Sequence, residues 1–142
     1  MANPLLTINQ PRDVDLGQDG TIRLGIRWAA DLSGRFTAGF EQLQKETDAE
    51  FIRLVTPYVS LRTGALANSA KTHTVLGSGE IRHVTPYAGA QYYRLPLGRG
   101  VREDGRGPHW GERCINDHRT EFISFVKARA QEDLKWARKP QT

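Results

Sequence analysis

The stretch AKTHTVLGSGEIRHVT, residues 70–85, decides how the chain is read. Gly77-Ser78-Gly79 separates two runs rich in Thr, Val, Ile and His. Branched side chains suit a pleated surface, and glycine tolerates the positive φ of a tight turn, so the pattern predicts a β-hairpin. With a three-residue loop Val75 faces Ile81 and His73 faces His83; a two-residue loop sets Val75 against Arg82 and matches the faces less well. A hairpin here implies a small antiparallel sheet, and the rest of the fold follows from its flanks.

Upstream, Phe36, Phe40, Leu43, Thr47, Phe51, Leu54 and Tyr58 recur every three or four residues, which is one face of a helix. Pro57 ends that helix, because the residue before a proline is pushed out of helical geometry. Asp31, Ser33 and Thr37 are candidate caps for its start. Earlier still, Ile22, Leu24, Ile26 and Trp28 alternate with Arg23, Gly25 and Arg27, the period of a half-buried strand. Residues 1–20 hold several Gly, Pro and Asp around a short apolar patch. They read as an extended N-terminal arm needing a partner surface, or equally as a strand tucked against the chain's own core.

Downstream, residues 86–93 read as a turn and a short helix. Residues 94–108 carry Arg94, Arg99, Arg102 and Arg106 with little to bury, the pattern of a long exposed loop. Pro108 suits the first position of a second long helix, whose stripe includes Trp110, Cys114, His118 and Phe122 and runs to about Trp136. The expected fold class is therefore α+β: two long amphipathic helices packed on a small antiparallel sheet. The expected organisation is an arm (1–20), one domain (21–137) with a protruding loop (94–108), and a flexible tail (138–142).

Composition narrows the function. Twenty Lys and Arg against sixteen Asp and Glu give +4 over 142 residues, too little by itself to mark a nucleic-acid binder. No apolar run is long enough to span a membrane and no signal-peptide pattern opens the chain, so a soluble protein made in the cytoplasm is expected. Cys114, the single cysteine, leaves no internal disulfide and no Cys-rich zinc module.

The candidate chemistry is thin. His73 and His83 would be cross-strand neighbours, and Cys114 and His118 sit at i and i+4, but each pair lacks the third protein ligand that even an open zinc site needs. Cys114 lies on an apolar helical stripe, where a lone cysteine behaves as a small hydrophobe. Ser60, Ser69 and Ser78 lack a nucleophile-elbow context, and Gly98-Arg99-Gly100 is no phosphate cradle. No enzyme, no metal and no cofactor are expected. The four loop arginines, offset by Glu103 and Asp104, suit phosphate; on charge alone a solvated loop is the simpler reading. Tyr87, Tyr92, Tyr93 and Trp110 flank the loop, with Trp110 and at least one tyrosine expected in the core and the others at an interface.

Three segments, taken in order, carry a resemblance: PYVSLRTGALANS (57–69), TPYAGAQYY (85–93) and PHW (108–110) opening the last helix. Together they resemble the minor capsid proteins of tailed phages and are similar to head–tail joining, or tail-completion, proteins of long-tailed phages, over roughly residues 36–136. The residues that match are Pro57, Tyr58, Thr63, Gly64, Leu66, Ser69, Pro86, Tyr87, Gln91, Tyr92, Tyr93 and Trp110. The resemblance implies a structural virion protein with no active site, forming a ring of six copies at the neck between portal and tail. Its implied partners are itself, other neck, connector and tail proteins, and the DNA in the channel by non-specific contact. The implied location is the virion neck, after assembly in the host cytoplasm. It gives Arg94, Arg99, Arg102 and Arg106 a role as an inter-subunit or lumen loop, and gives the arm a neighbour to reach. Ser60 departs from the pattern, since members often carry proline there, and the loop after Tyr93 is longer and richer in Arg and Gly. A small DNA-binding module using the same loop is the alternative, and a metal-dependent hydrolase built on His73 and His83 is a third reading.

Overall fold

The apolar spacing that predicts a first long helix produces α1, Leu32–Val55, in a computed structural model that describes residues 8–18 and 23–135. A 3-10 turn, Thr56–Tyr58, closes it at Pro57. Asp31 stands at the N-cap, yet its carboxylate takes the Arg35 guanidinium at 2.6 Å instead of a backbone N–H. The open Ser33 N–H donates to Gln10 Oε1 at 3.1 Å, while Gln10 Nε2 donates to the Ala29 carbonyl at 2.8 Å. A carboxamide from far upstream thus satisfies a donor that the local candidates leave open.

Gln10 belongs to a segment that doubles back. Strand β1 (Val14–Gln18) pairs antiparallel with β2 (Arg23–Ile26), Val14 opposite Ile26 and Asp15 opposite Gly25, with an irregularity before Gln18 meets Arg23. Asp13 accepts the Trp28 N–H at 2.9 Å and continues the pairing. The described part of residues 1–20 therefore folds onto its own chain instead of standing off as an arm. The strand expected over 21–28 is present in its 23–26 part. Residues 1–7 and 19–22, with the expected tail at 138–142, lie outside the described residues.

The α+β expectation is overturned. The domain is helical, built from α1, α2 (Ala65–His73), α3 (Ala88–Tyr92) and α4 (Trp110–Asp133), with no sheet beneath the helices among the described residues. Among the described residues the paired strands are those of the N-terminal ribbon. Residues 70–85 form no hairpin. Their first part ends α2, a helix favoured by Ala65, Ala67 and Ala70, which buries Leu66, Ala67 and Ala70 on one face. The second run stays extended without a strand partner, because hydroxyls on the preceding segment take its donors. Arg82 N–H donates to Thr74 Oγ1 and Val84 N–H to Ser69 Oγ, both at 3.0 Å. The loop between them closes on a carboxylate: Gly77 and Gly79 N–H groups donate to Asp48 Oδ2 at 2.8 and 3.0 Å, and Gln44 Nε2 donates to Oδ1 at 2.8 Å. Three donors explain how Asp48 can be buried in α1.

The two long helices pack on each other. Gly39 of α1 meets Leu134 just beyond α4, and Tyr58 after α1 meets Asp117 early in α4, so the pair runs antiparallel. Gly39 permits the closest approach; a Cβ there would lie 2.6 Å from a Leu134 methyl. Phe51 meets Phe122 edge to face at 5.8 Å. Arg129 grips Glu46 with two bonds, Nε at 2.7 Å and Nη2 at 2.8 Å. The core lies at one end of this pair, where Leu54, Val55, Val59, Leu66, Trp110 and Cys114 are buried together.

The Arg129 contact, with a further bond from Gln42, holds the Glu46 carboxyl down at about 2, against an ordinary 4.5. A depressed acid stabilises the fold above its unfolded pKa and loses that contribution as pH falls through the folded one. The α1–α4 pair is therefore expected to weaken between about pH 5 and pH 2. The loss should be small, because Arg129 is open to solvent and the pair is screened. Asp133 opposes it, its carboxyl raised first by burial and then by Glu46. Thermal melts across that range should show Glu46→Gln with a flatter acid limb than the parent; equal slopes would refute the assignment.

Candidate functional site

The loop of residues 94–108 is anchored at its second half and open at its first. Backbone bonds from Arg102 N–H to the Arg106 carbonyl (2.8 Å) and from Gly105 N–H to the Arg102 carbonyl (2.9 Å) fold its tip into a tight turn. Arg106, read in sequence with the exposed arginines, points inward: Nη1 donates to the Thr56 carbonyl at 3.1 Å and the Val59 carbonyl at 2.9 Å. The Thr56 carbonyl also takes the Val59 N–H, and both carbonyls lie just past the end of α1, where a cation is favoured by hydrogen bonding and by the helix dipole. Gly107 N–H donates to the Tyr58 carbonyl at 3.1 Å. A Cβ on Gly107 would lie 2.8 Å from the Gly100 carbonyl oxygen, so the loop's two limbs touch only because this position has no side chain.

Arg113, on the first turns of α4, is the residue that sequence reasoning missed. Its guanidinium donates to four carbonyls: Pro108 at 2.8 Å, Gly105 at 2.7 Å, Gly107 at 3.0 Å and Tyr58 at 3.2 Å. It also lies 5.3 Å from the Tyr58 ring centroid. Its position three residues after Trp110 carried no sequence signal, because the carbonyls it meets come from loops. Pro108 lies buried, but α4 begins at Trp110, two residues later than expected, after His109 in left-handed geometry at φ 51°. His109 is held there by its N–H on the Tyr92 carbonyl at 3.1 Å and by a 2.8 Å contact from Nε2 to the Leu95 carbonyl.

The matched residues divide between inside and outside. Trp110 is buried, edge-on to Tyr92 at 4.7 Å and to His83 at 5.5 Å. Leu66 and Ser69 are buried, Ser69 Oγ donating to the Leu66 carbonyl at 2.6 Å. Tyr58 donates its hydroxyl to Asp117 at 2.8 Å, and burial, aided by that carboxylate, raises its phenol to about 12. Gly64, at φ 84°, starts α2, and Thr63 Oγ1 lies 3.4 Å from the Ala65 N–H. Pro57, Pro86, Tyr87 and Tyr93 are exposed, Tyr93 at 74%.

Arg94 and Arg102 share a cavity of about 650 Å³ with Arg62, Gln91, Tyr87 and residues 60–64 at the start of α2. Arg99 is exposed but does not line it. The four loop arginines are thus split three ways: two at this cavity, one free in solvent, one built into the fold.

The histidine pairing expected from the hairpin does not occur. His73 is exposed on α2, with Nδ1 near the Ser69 carbonyl, while His83 is half-buried against Trp110 and its pKa is lowered by burial. Among the described residues no three His, Cys, Asp or Glu side chains gather where a metal could sit. Cys114 is buried, and burial raises its thiol to about 11, which keeps it protonated and unreactive at neutral pH. Among the described residues no helix is long and apolar enough to cross a membrane. Comparison with protein families, with curated proteins and with solved structures found no match.

Proposed function

We propose that this chain is a structural subunit of a tailed-phage neck, closing with identical copies into a ring that completes the tail and joins it to the DNA-filled head. The observation that carries the reading is where the apolar surface lies. The buried apolar set is small and gathered at one end, while large apolar side chains stay exposed in several segments. Leu95, Leu97 and Val101 are open along the loop, Val75 and Leu76 beside the Asp48-bound turn, and Ile115 and Ile123 on α4. Exposed apolar surface of this extent suits a subunit covered by neighbours, as the contacts of a ring require. Ile115 and Ile123 also border an apolar groove of about 590 Å³ between α1 and α4, with Phe51 and Phe122 in its wall.

The matched motif residues fit the same reading. Tyr58, Leu66, Ser69, Tyr92 and Trp110 build the frame, while Tyr87 and Tyr93 remain at the surface for contact. No step of this function needs a reacting group; the chain works by shape, contact and closure. The test is the mass of the assembly formed by the full chain, a closed ring supporting the reading and a monomer opposing it.

A further inference from the structure

We propose that the cavity in front of α2 is a phosphate-binding site, filled by the phosphate of a nucleotide unit. Three arginines from three separate segments line it: Arg62 before α2, Arg94 after α3 and Arg102 in the loop. No Asp or Glu lines it. Arg62 and Arg94 have no hydrogen-bond or ion-pair partner among the described residues, and Arg102 has only a loose 3.7 Å pair with Asp104, both side chains largely in solvent. Three like charges lining one cavity, with only a loose pair to Arg102, repel one another, and an anion taken into the cavity relieves that cost. The other polar side chains at the wall can donate, and Leu61 and Leu66 give it an apolar part. The hydroxyls of Ser60, Thr63 and Tyr87 and the carboxamide of Gln91 surround the space. The nine-residue helix α2 begins there at Gly64 with no side-chain bond to cap it. Apart from the Ala65 N–H, which donates to Thr63 Oγ1 at 3.4 Å, its first turn adds N–H groups and the positive end of its dipole.

The chemistry favours phosphate over a carboxylate. Planar guanidiniums pair two-to-two with phosphate oxygens, and a tetrahedral anion presents oxygens to three arginines at once. About 650 Å³ is far more than a phosphate fills. The half-open Tyr87 ring at its wall offers a face on which a base can stack, so a nucleotide unit matches both the size and the lining. The inference does not rest on the neck reading, since the site is complete within one chain.

Binding of the full-length protein to inorganic phosphate, to a deoxynucleoside monophosphate and to single-stranded oligodeoxynucleotide, measured at two salt concentrations, tests it. Arg62→Ala and Arg94→Ala each should weaken binding about tenfold and lower the salt slope by about one for the oligonucleotide. Arg99→Ala, which removes the same charge outside the cavity, should change affinity less than about twofold, the small effect of a distant screened charge. Saturable binding of phosphate or mononucleotide that depends on Arg62 supports a site that takes the group from any carrier. Binding of the oligonucleotide alone, with the same dependence, supports the site with a polymer as its source. No saturable binding in any arm, or an equal loss from Arg99→Ala, overturns the proposal. Unchanged thermal melts for the variants, expected because neither arginine has a partner in the fold, exclude misfolding as the cause.

Discussion

Arg113→Ala should lower stability by about 3 kcal/mol and release residues 94–108 from the end of α1. The guanidinium satisfies four carbonyls from two loops, and the Tyr58 ring covers it. A charged donor's hydrogen bond contributes about 1.5–3 kcal/mol net, and a buried acceptor left open costs up to as much again. The sum is reduced because the site is only partly buried, and water can reach some of the freed carbonyls. Lysine is a poor replacement. Its single ammonium cannot span carbonyls contributed by residues 58, 105, 107 and 108, so Arg113→Lys should recover less than half of the loss. Urea unfolding gives the stabilities, and limited proteolysis reads the loop: faster cleavage within residues 94–108 is expected in the alanine variant. A loss under about 1 kcal/mol with unchanged cleavage would show that Arg106 and Gly107 suffice to hold the loop.

Trp110→Ala should cost more, about 4 kcal/mol, enough to unfold much of the population if the domain has ordinary marginal stability. Trp110 is the largest side chain of the core, 4% exposed, and it joins three separate segments. Its ring meets Tyr92 from α3 and His83 from the extended run after α2. Its backbone begins α4 directly after the strained His109. Truncation therefore leaves a cavity at the junction of three segments and removes the packing that balances the backbone strain. Trp110→Phe keeps most of the apolar area and should cost about 1–2 kcal/mol. Circular dichroism during urea unfolding measures both without relying on the indole that is removed. Equal small losses from the two variants would mean that the core is organised elsewhere.

The long helices were legible because their apolar residues repeat at a helical period over many turns, and a period that long has no competing interpretation. Residues 70–85 were misread for the opposite reason. Thr72, Thr74 and Val75 are β-prone one at a time, but Leu66, Ala67 and Ala70 gain more by burying a helical face than these residues gain from extension. The glycine loop was seen as a turn, correctly as to its bend. Its partner, Asp48, lies 29 residues earlier, buried in α1, and no local pattern singles it out. Arg106 and Arg113 were obscured in the same way. Composition shows an arginine but not which carbonyls the fold leaves open beside it. Of the cavity, Arg94 and Arg102 were visible as loop cations, whereas Arg62 was hidden inside a motif read as framework.

Native mass spectrometry of the full chain bears most directly on its role as a ring subunit. A single closed assembly of identical copies, six by the resemblance carried by residues 57–69, 85–93 and 108–110, is the predicted result. Placing a charge on the exposed face of α4, as in Ile123→Glu, should break that assembly into folded monomers, because an unpaired charge buried at an interface costs several kcal/mol. A parent protein that stays monomeric at every concentration, or stops at a two-fold dimer, would contradict the ring.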